Sequence, residues 1–458
     1  MKRLWERLRD GPPLAAPRWL QAGAYAALAA APICLLSWPG FMSFDSLLAY
    51  EQAFTGVQTA GWPPMHTYLF WISKSLGAGA WGVFVAQTVL LFLGAGVVLN
   101  MLAPGRRLAL LGQAGFALGF VYFPVLLGAA MVQWRDVTTA SFGLLALALW
   151  LAAARARSIP LLVGAAAAIG CAAALRYNAL ALFALVIPLM VAAPFLTLRA
   201  PLAARLAGAA SLVLFIGLAG ASTVWRLPDL QRLPKPSNFA TAQLHDLFGV
   251  SVCTGRDLLP AAVTQGAPIT VEQIRRAYDP RHLNITMAPK PGVPRLYEQD
   301  TYRATPRRWR ETIPDEPGCY LWHRTQIALV QLGLPPAGVF YPTHGTIDPN
   351  RFGLEVARPG LAAAAVAYVE RNAGEAWRRP FLLYLAAAVI GLAAAFRRPE
   401  AAPLLLALLG GAFAYLAPLY VAAPAGDARY IFPSNVLCLL LILAGAGLLL
   451  RRPGEVRP

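Results

Sequence analysis

Of the 458 residues in the chain, 58% are hydrophobic and 13% charged, with a mean hydropathy of +0.54; a soluble domain carries roughly a quarter charged residues, so an ordinary soluble globular protein is excluded. The formal net charge of +17 would point to nucleic acid in a soluble protein. In so apolar a chain it marks instead the side on which basic turns are retained, and no nucleic-acid partner is expected.

A basic segment, Met1 to Asp10, precedes an apolar stretch from Trp19 to Trp38. That stretch is of span length, and no Ala-x-Ala site follows it, so it reads as a retained first span rather than a cleaved signal. Further apolar runs cover 79–101, 108–126, 137–154, 159–175, 178–198, 206–225, 380–396, 402–423 and 431–450. Each is long enough to cross a hydrocarbon core as a helix. Alternating strands of the β-barrel kind are not apparent. The fold expected is an all-α polytopic membrane protein with about ten transmembrane helices.

Basic residues sort by side. Arg106, Arg107, Arg155, Arg157, Arg199, Arg205, Arg397, Arg398, Arg451 and Arg452 fall in one set of turns, with Lys2, Arg3, Arg7 and Arg9 before the first span. The short opposite segments hold only Lys74, Arg135, Arg176 and Arg429. The asymmetry predicts a bacterial inner-membrane protein with both termini cytoplasmic. Three regions follow: an N-terminal membrane module, 1–225, of about seven helices; a large periplasmic loop domain, 226–379; and a C-terminal membrane module, 380–458, of about three helices.

Two outer segments are more than turns. In the first, 39–78, Phe44 to Phe54 and Met65 to Leu76 read as short interfacial helices separated by Gly61-Trp62-Pro63-Pro64. The second, the 226–379 loop, holds most of the acidic residues. Its Thr270-Val-Glu-Gln273 resembles a capping box opening a helix through Tyr278. Tyr320 to Leu332 and Leu361 to Trp377 read as further amphipathic helices, so an α-rich domain is expected. Cys253 and Cys319, alone in this loop, are a candidate disulfide, or else two buried thiols. Cys34, Cys171 and Cys438 lie in apolar runs and read as packing residues.

Outside the large loop, the non-cytoplasmic side has few carboxylates: Asp45, Glu51, Asp136 and Asp427. Ionisable groups at a hydrocarbon boundary are costly and usually have a task. The bland alternatives are that Asp45 caps the helix after it, and that Asp136 caps the fourth span or pairs with Arg135 or Arg176. Arg135, Arg176 and Arg429 form a basic set whose guanidiniums suit the phosphate of a lipid-linked substrate, unless Asp136 and Asp427 occupy them. His66 is the only histidine of the first outer loop. With Asp45 or Glu51 it would offer ligands to a divalent ion, the one cofactor the sequence raises; otherwise it is an interfacial hydrogen-bonder. P-loop, dinucleotide-binding, Gly-x-Ser-x-Gly and HExxH patterns are missing.

An Asp just after the first span, a Trp-Pro-Pro element in an amphipathic outer loop, and Arg429-Tyr430 before the last span resemble integral-membrane C-type glycosyltransferases. The bacterial branch related to polyprenyl-phosphate-sugar mannosyltransferases and lipid A aminoarabinose transferases is the best match. Trp134-Arg-Asp136, Leu175-Arg-Tyr-Asn178 and Trp309 with Cys319-Tyr-Leu-Trp-His-Arg324 resemble features of uncharacterised members. The resemblance implies transfer of a sugar from a polyprenyl-phosphate carrier to a glycan or lipid acceptor of the cell envelope on the periplasmic face, among membrane lipids. It implies that Asp45 binds the acceptor and can act as general base. Asp136, with Glu51 behind it, completes the site. Arg429, Tyr430, Arg176, Arg135, His66 and Trp62 contact substrate. The family's adjacent acidic pair is missing near the membrane, the one Asp-Glu pair, Asp315-Glu316, lying in the large loop; its His-Pro near the first-loop Trp is missing too, since Trp62-Pro-Pro-Met-His66 orders those residues differently. The competing readings are a transporter or flippase for a lipid-linked sugar, and a non-catalytic envelope assembly protein.

Overall fold

The computed structural model describes residues 16–59, 63–103, 105–156, 158–176, 178–179, 231–233, 239–264, 266–282, 298–335 and 338–450. The expected spans at 178–198 and 206–225 fall almost wholly outside these residues, and Trp62 lies outside them as well. The regular secondary structure of the described residues is helical apart from one short strand pair.

Eight helices build the described bundle: α1 (Ala16–Ser37), α4 (Gly79–Leu102), α5 (Arg106–Tyr122), α7 (Arg135–Ala156), α8 (Ile159–Leu175), α14 (Phe381–Arg397), α15 (Ala402–Ala422) and α16 (Phe432–Leu449). Among the described residues, five helical segments are long and apolar enough to cross a membrane, and six if one bent pair is counted. Large apolar side chains point away from the bundle, including Leu28 and Leu111, Leu118, Leu385, Val389 and Phe396. Such a continuous outward apolar surface belongs against lipid, and the chain is a multi-pass membrane protein.

α7 lies at the centre, packed between α4 and α8. Nearly all of its side chains are buried, Thr138, Thr139 and Ser141 among them, as befits a helix without a solvent face. α16 packs on α14 and α15 and reaches across to α4, α5 and α7. It thereby brings the start of the last helix beside the start of α7 and the end of α8. At the other end of the bundle, Gln113 Nε2 donates to Asn100 Oδ1 at 3.1 Å and Gln21 Nε2 donates to both side chains at 3.3 Å. The Arg106, Arg155 and Arg397 turns are at that end too.

The run expected as one helix over 108–126 is broken. α5 stops at Tyr122, and α6 (Pro124–Ala130) leaves at 90°. Proline has no N–H to give and disfavours helical geometry in the residue before it. Phe123 accordingly takes φ −100° and ψ 90°.

The first outer loop forms α2 (Phe44–Thr55) and α3 (Met65–Ser75). Between them β1 (Val57–Thr59) pairs in parallel with β2 (Gln231–Leu233), Val57 opposite Gln231, which ties this loop to the large one. The large loop contributes α9 (Phe239–Thr254), α10 (Val271–Ala277), α11 (Glu298–Thr312), α12 (Pro317–Gln331) and α13 (Pro359–Ala373). Both halves of the Thr270/Gln273 capping box form at the start of α10. Leu244, Leu247, Phe248, Val263 and Ile274 bury a separate small core there. Cys253 and Cys319 are joined, linking α9 to α12.

Candidate active site

Four distant segments converge at the end of the bundle opposite the Arg106 and Arg397 turns. Residues 41–46 dock along 131–134: Phe41 N donates to Met131 O, Gln133 N to Phe41 O at 2.8 Å, and Trp134 Nε1 to Ser43 Oγ at 3.0 Å. This register carries Asp45, in the first turn of α2, to Arg135 at the start of α7. Ser43 is the N-cap of α2, and Asp45 is turned to other use.

Arg429 is the hub. Its Nη1 lies 3.0 Å from Asp45 Oδ2 and its Nε 2.9 Å from Asp427 Oδ2. The guanidinium sits 5.1 Å from the ring centroids of both Trp134 and Tyr430. Aromatic faces stabilise a cation without neutralising it. Arg176, just past α8, pairs with Asp136 Oδ1 at 2.7 Å and lies 5.1 Å from the Tyr430 ring. Tyr430 is therefore flanked by two guanidiniums, a role apart from direct contact with substrate. Arg135 Nη2 approaches Asp45 Oδ2 at 4.0 Å.

The carboxylates are not equivalent. The Asp136 side chain is 3% exposed and committed to Arg176, whereas that of Asp45 is 23% exposed. Asp427 also accepts from its own helix turn, Arg429 N to Oδ1 at 3.0 Å. Burial pushes the Asp427 carboxyl up to about 6 against the pull of Arg429. Asp45, Asp136 and Asp427 balance Arg135, Arg176 and Arg429 when all are ionised, and protonating Asp427 leaves the cluster positive.

Other predicted members stand apart. Glu51 pairs with Arg351 at 3.0 Å on exposed surface, outside the cluster. The His66 imidazole is buried beside Phe70, and burial lowers it to about 3, with Arg135 adding to the shift. At that depth it is a neutral imidazole rather than a charge, and neither ring nitrogen finds a hydrogen-bond partner among the described residues. Among the described residues no three or more His, Cys, Asp or Glu side chains gather as metal ligands would.

The large loop holds the segment that carries Arg429. Arg324 Nη1 donates to Ala423 O at 2.6 Å, and Gln331 Nε2 donates to Ala425 O at 3.2 Å. His245 Nδ1 lies 2.9 Å from Pro424 O. Gly426 N donates to Pro280 O at 3.1 Å, and Ala428 N to Phe340 O at 3.1 Å. A Cβ at Gly426 would fall 2.6 Å from Val330 Cβ, so the approach requires glycine. Arg324 is itself fixed by Asp246, whose Oδ2 also accepts from Trp309 Nε1, each at 2.7 Å. These contacts give Trp309 and Arg324 a structural role that their sequence pattern alone did not disclose. Asp246 sits in the apolar α9, where no sequence signal tells a buried counter-ion from a surface acid.

No known protein family matches the chain, and no curated protein does. Among solved structures, a crystal structure of ArnT from Cupriavidus metallidurans bound to undecaprenyl phosphate is similar, at 15% identity and a TM-score of 0.33 over 95% of this chain and 78% of that one. A crystal structure of ArnT from the same organism in the apo state is similar at 15% identity and a TM-score of 0.33, over 93% of this chain and 76% of that one.

Proposed function

We propose that this protein is a membrane glycosyltransferase that moves a sugar from a polyprenyl-phosphate carrier to a glycan or lipid acceptor of the cell envelope, at the periplasmic face of the inner membrane. The observation that carries the reading is the meeting of Asp45, Arg135, Arg176 and Arg429, from four distant segments, at one end of an apolar bundle. The isoprenoid tail stays in lipid while its phosphate reaches guanidiniums at the boundary.

Arg429 is the principal phosphate ligand, with Arg176 and Arg135 beside it; guanidinium and phosphate match in geometry and charge. As the phosphate takes Arg429, Asp45 loses its partner and becomes free to receive the hydrogen bond of an acceptor hydroxyl. The donor thus prepares the site for the acceptor. When the bond from the anomeric carbon to phosphate oxygen breaks, the electron pair leaves with the phosphate, and the same guanidiniums stabilise the growing charge.

Asp45→Asn tests this reading. The variant folds, and envelope glycan and lipid mass analysis of a strain carrying it shows the modification lost as in a deletion strain. It binds undecaprenyl phosphate at least as tightly as wild type, by up to about tenfold, because the competing carboxylate charge is gone. Full modification by Asp45→Asn would remove Asp45 from the mechanism.

A further inference from the structure

The segment from Phe340 to Asp348 runs from the Asp427 side of this cluster to the Asp45 side. Ala428 N donates to Phe340 O at 3.1 Å; Met42 N donates to Thr346 O and Asp348 N to Met42 O, each at 3.0 Å. The segment is thus pinned one residue from Asp427 at its start and three residues from Asp45 at its end. Thr343 Oγ1 also donates to Gly128 O at 3.0 Å, where a glycine leaves room for the Pro342 carbonyl.

Within it, three titratable side chains form a chain. The Tyr341 hydroxyl hydrogen-bonds to His344 Nδ1. His344 Nε2 lies 3.0 Å from Asp348 Oδ1. Tyr341 holds φ at +52°, a left-handed backbone region that a non-glycine residue keeps only where its surroundings enforce it. Its ring is 5.8 Å from Trp134, the ring that carries Arg429. Arg429, Asp427, Asp348 and Asp45 are the charges acting on Tyr341; Asp348, Arg429 and Asp45 act on His344. The Asp348 side chain, 33% exposed, is the end open to water.

We propose that Tyr341, His344 and Asp348 form the proton relay of the transfer reaction, taking the acceptor hydroxyl's proton out of the arginine cluster toward water. This rests on the glycosyltransferase reading above. With Arg429 engaged by the phosphate, Asp45 still lies beside Arg135 and orients the hydroxyl; the relay receives the proton. The acceptor oxygen bonds to the anomeric carbon as the bond from that carbon to phosphate oxygen breaks. The hydroxyl proton passes to Tyr341 Oη while the phenol proton passes to His344 Nδ1. The imidazolium, beside the Asp348 carboxylate, then releases a proton to solvent. Tyr341 is the catalytic group; His344 and Asp348 are positioning residues that act through it. Burial holds His344 below its ordinary value, so its Nδ1 is available as an acceptor at neutral pH.

The full-length protein in lipid nanodiscs tests the relay. Its substrates are a saturating lipid-linked sugar extract and an envelope acceptor fraction, and the readout is the release of polyprenyl phosphate. Tyr341→Phe and His344→Gln lower the rate about 100-fold with the KM for donor unchanged, and Asp348→Asn lowers it about 10-fold. The wild-type rate falls on the acid side as His344 is protonated, and His344→Gln lacks that limb. Wild-type rates and an unchanged pH profile in Tyr341→Phe and His344→Gln, beside an inactive Asp45→Asn, would overturn the relay and leave the glycosyltransferase reading standing. Histidine side-chain NMR on the same preparation reads the chain whether or not transfer occurs. The relay requires the Nε2–H tautomer of His344 and a shift of its resonances in Tyr341→Phe. The Nδ1–H tautomer, indifferent to Tyr341, would overturn it.

Discussion

Two clusters in this molecule combine the same chemistry and end in different states. In the large loop, Asp246 and Arg324 are completely enclosed, at 0% exposure, with Trp309 and His323 closing the remaining sides. At the bundle end, Asp45 and Arg429 keep 23% and 14% of their side chains exposed and share partners among several ions. A closed pair offers no open path to a ligand, and its charges serve to fix neighbouring backbone, here Ala423. An open cluster with a contested guanidinium can exchange a protein carboxylate for a substrate phosphate. Exposure and competition for one arginine, more than the residue types, separate a clamp from a binding site.

The largest effect that would break this contrast lies in the clamp. Arg324→Ala leaves Asp246 buried and unpaired and lowers stability by about 3–5 kcal/mol, read as thermal unfolding in detergent. Pairing it with Asp246→Leu, to remove both charges, restores most of that stability. Because the Ala423 carbonyl stays unclamped, sugar transfer remains low in the double variant. Equal loss in single and double variants would show that the charge pair is not the reason. Cys253→Ser opens a link between residues 66 apart and costs about 2–4 kcal/mol, again read by unfolding. Gly249→Ala costs about 1–3 kcal/mol, since its Cβ would fall 2.1 Å from Nδ1 of the enclosed His323.

A smaller effect sharpens the open side. Asp427 ionises near pH 6, because burial raises it. Its charged form competes for Arg429, so phosphate binding weakens as pH rises through that value. The carrier phosphate titrates in the same range, and comparison with Asp427→Asn removes its contribution. The two proteins bind undecaprenyl phosphate alike at pH 5, and wild type falls behind by about 3–10-fold at pH 7.5. A constant ratio across that range would separate Asp427 from the phosphate site. Glu51→Gln, smallest of all, leaves transfer unchanged, since Glu51 pairs with Arg351 away from the cluster.

Much of the architecture was legible because the bilayer imposes strict length and composition on a span. The runs at 79–101, 137–154 and 402–423 became α4, α7 and α15 within a residue or two. The bend at Phe123 was written in Pro124, but apolar periodicity runs straight through a proline and hid it. Asp45, Arg176 and Arg429 stood out because charges at a hydrocarbon boundary are few. Their partners could be narrowed but not chosen, since pairing across hundreds of residues depends on which helix ends meet. Asp136 had Arg135 and Arg176 as candidate partners and pairs with Arg176. Tyr341, His344 and Asp348 carried no signal at all in a loop with ordinary polar composition. Only the backbone pairing of Phe340 with Ala428, and of Thr346 and Asp348 with Met42, brings them to the site.

The central claim is that Arg429 and Arg176 hold a carrier phosphate at this end of the bundle. Native mass spectrometry of the protein in nanodiscs, titrated with undecaprenyl phosphate, tests it most directly. Wild type binds one carrier per chain, and Arg429→Gln and Arg176→Gln each lose tenfold or more in affinity while remaining folded, about 1.4 kcal/mol or more. Undiminished binding in both variants would contradict the account.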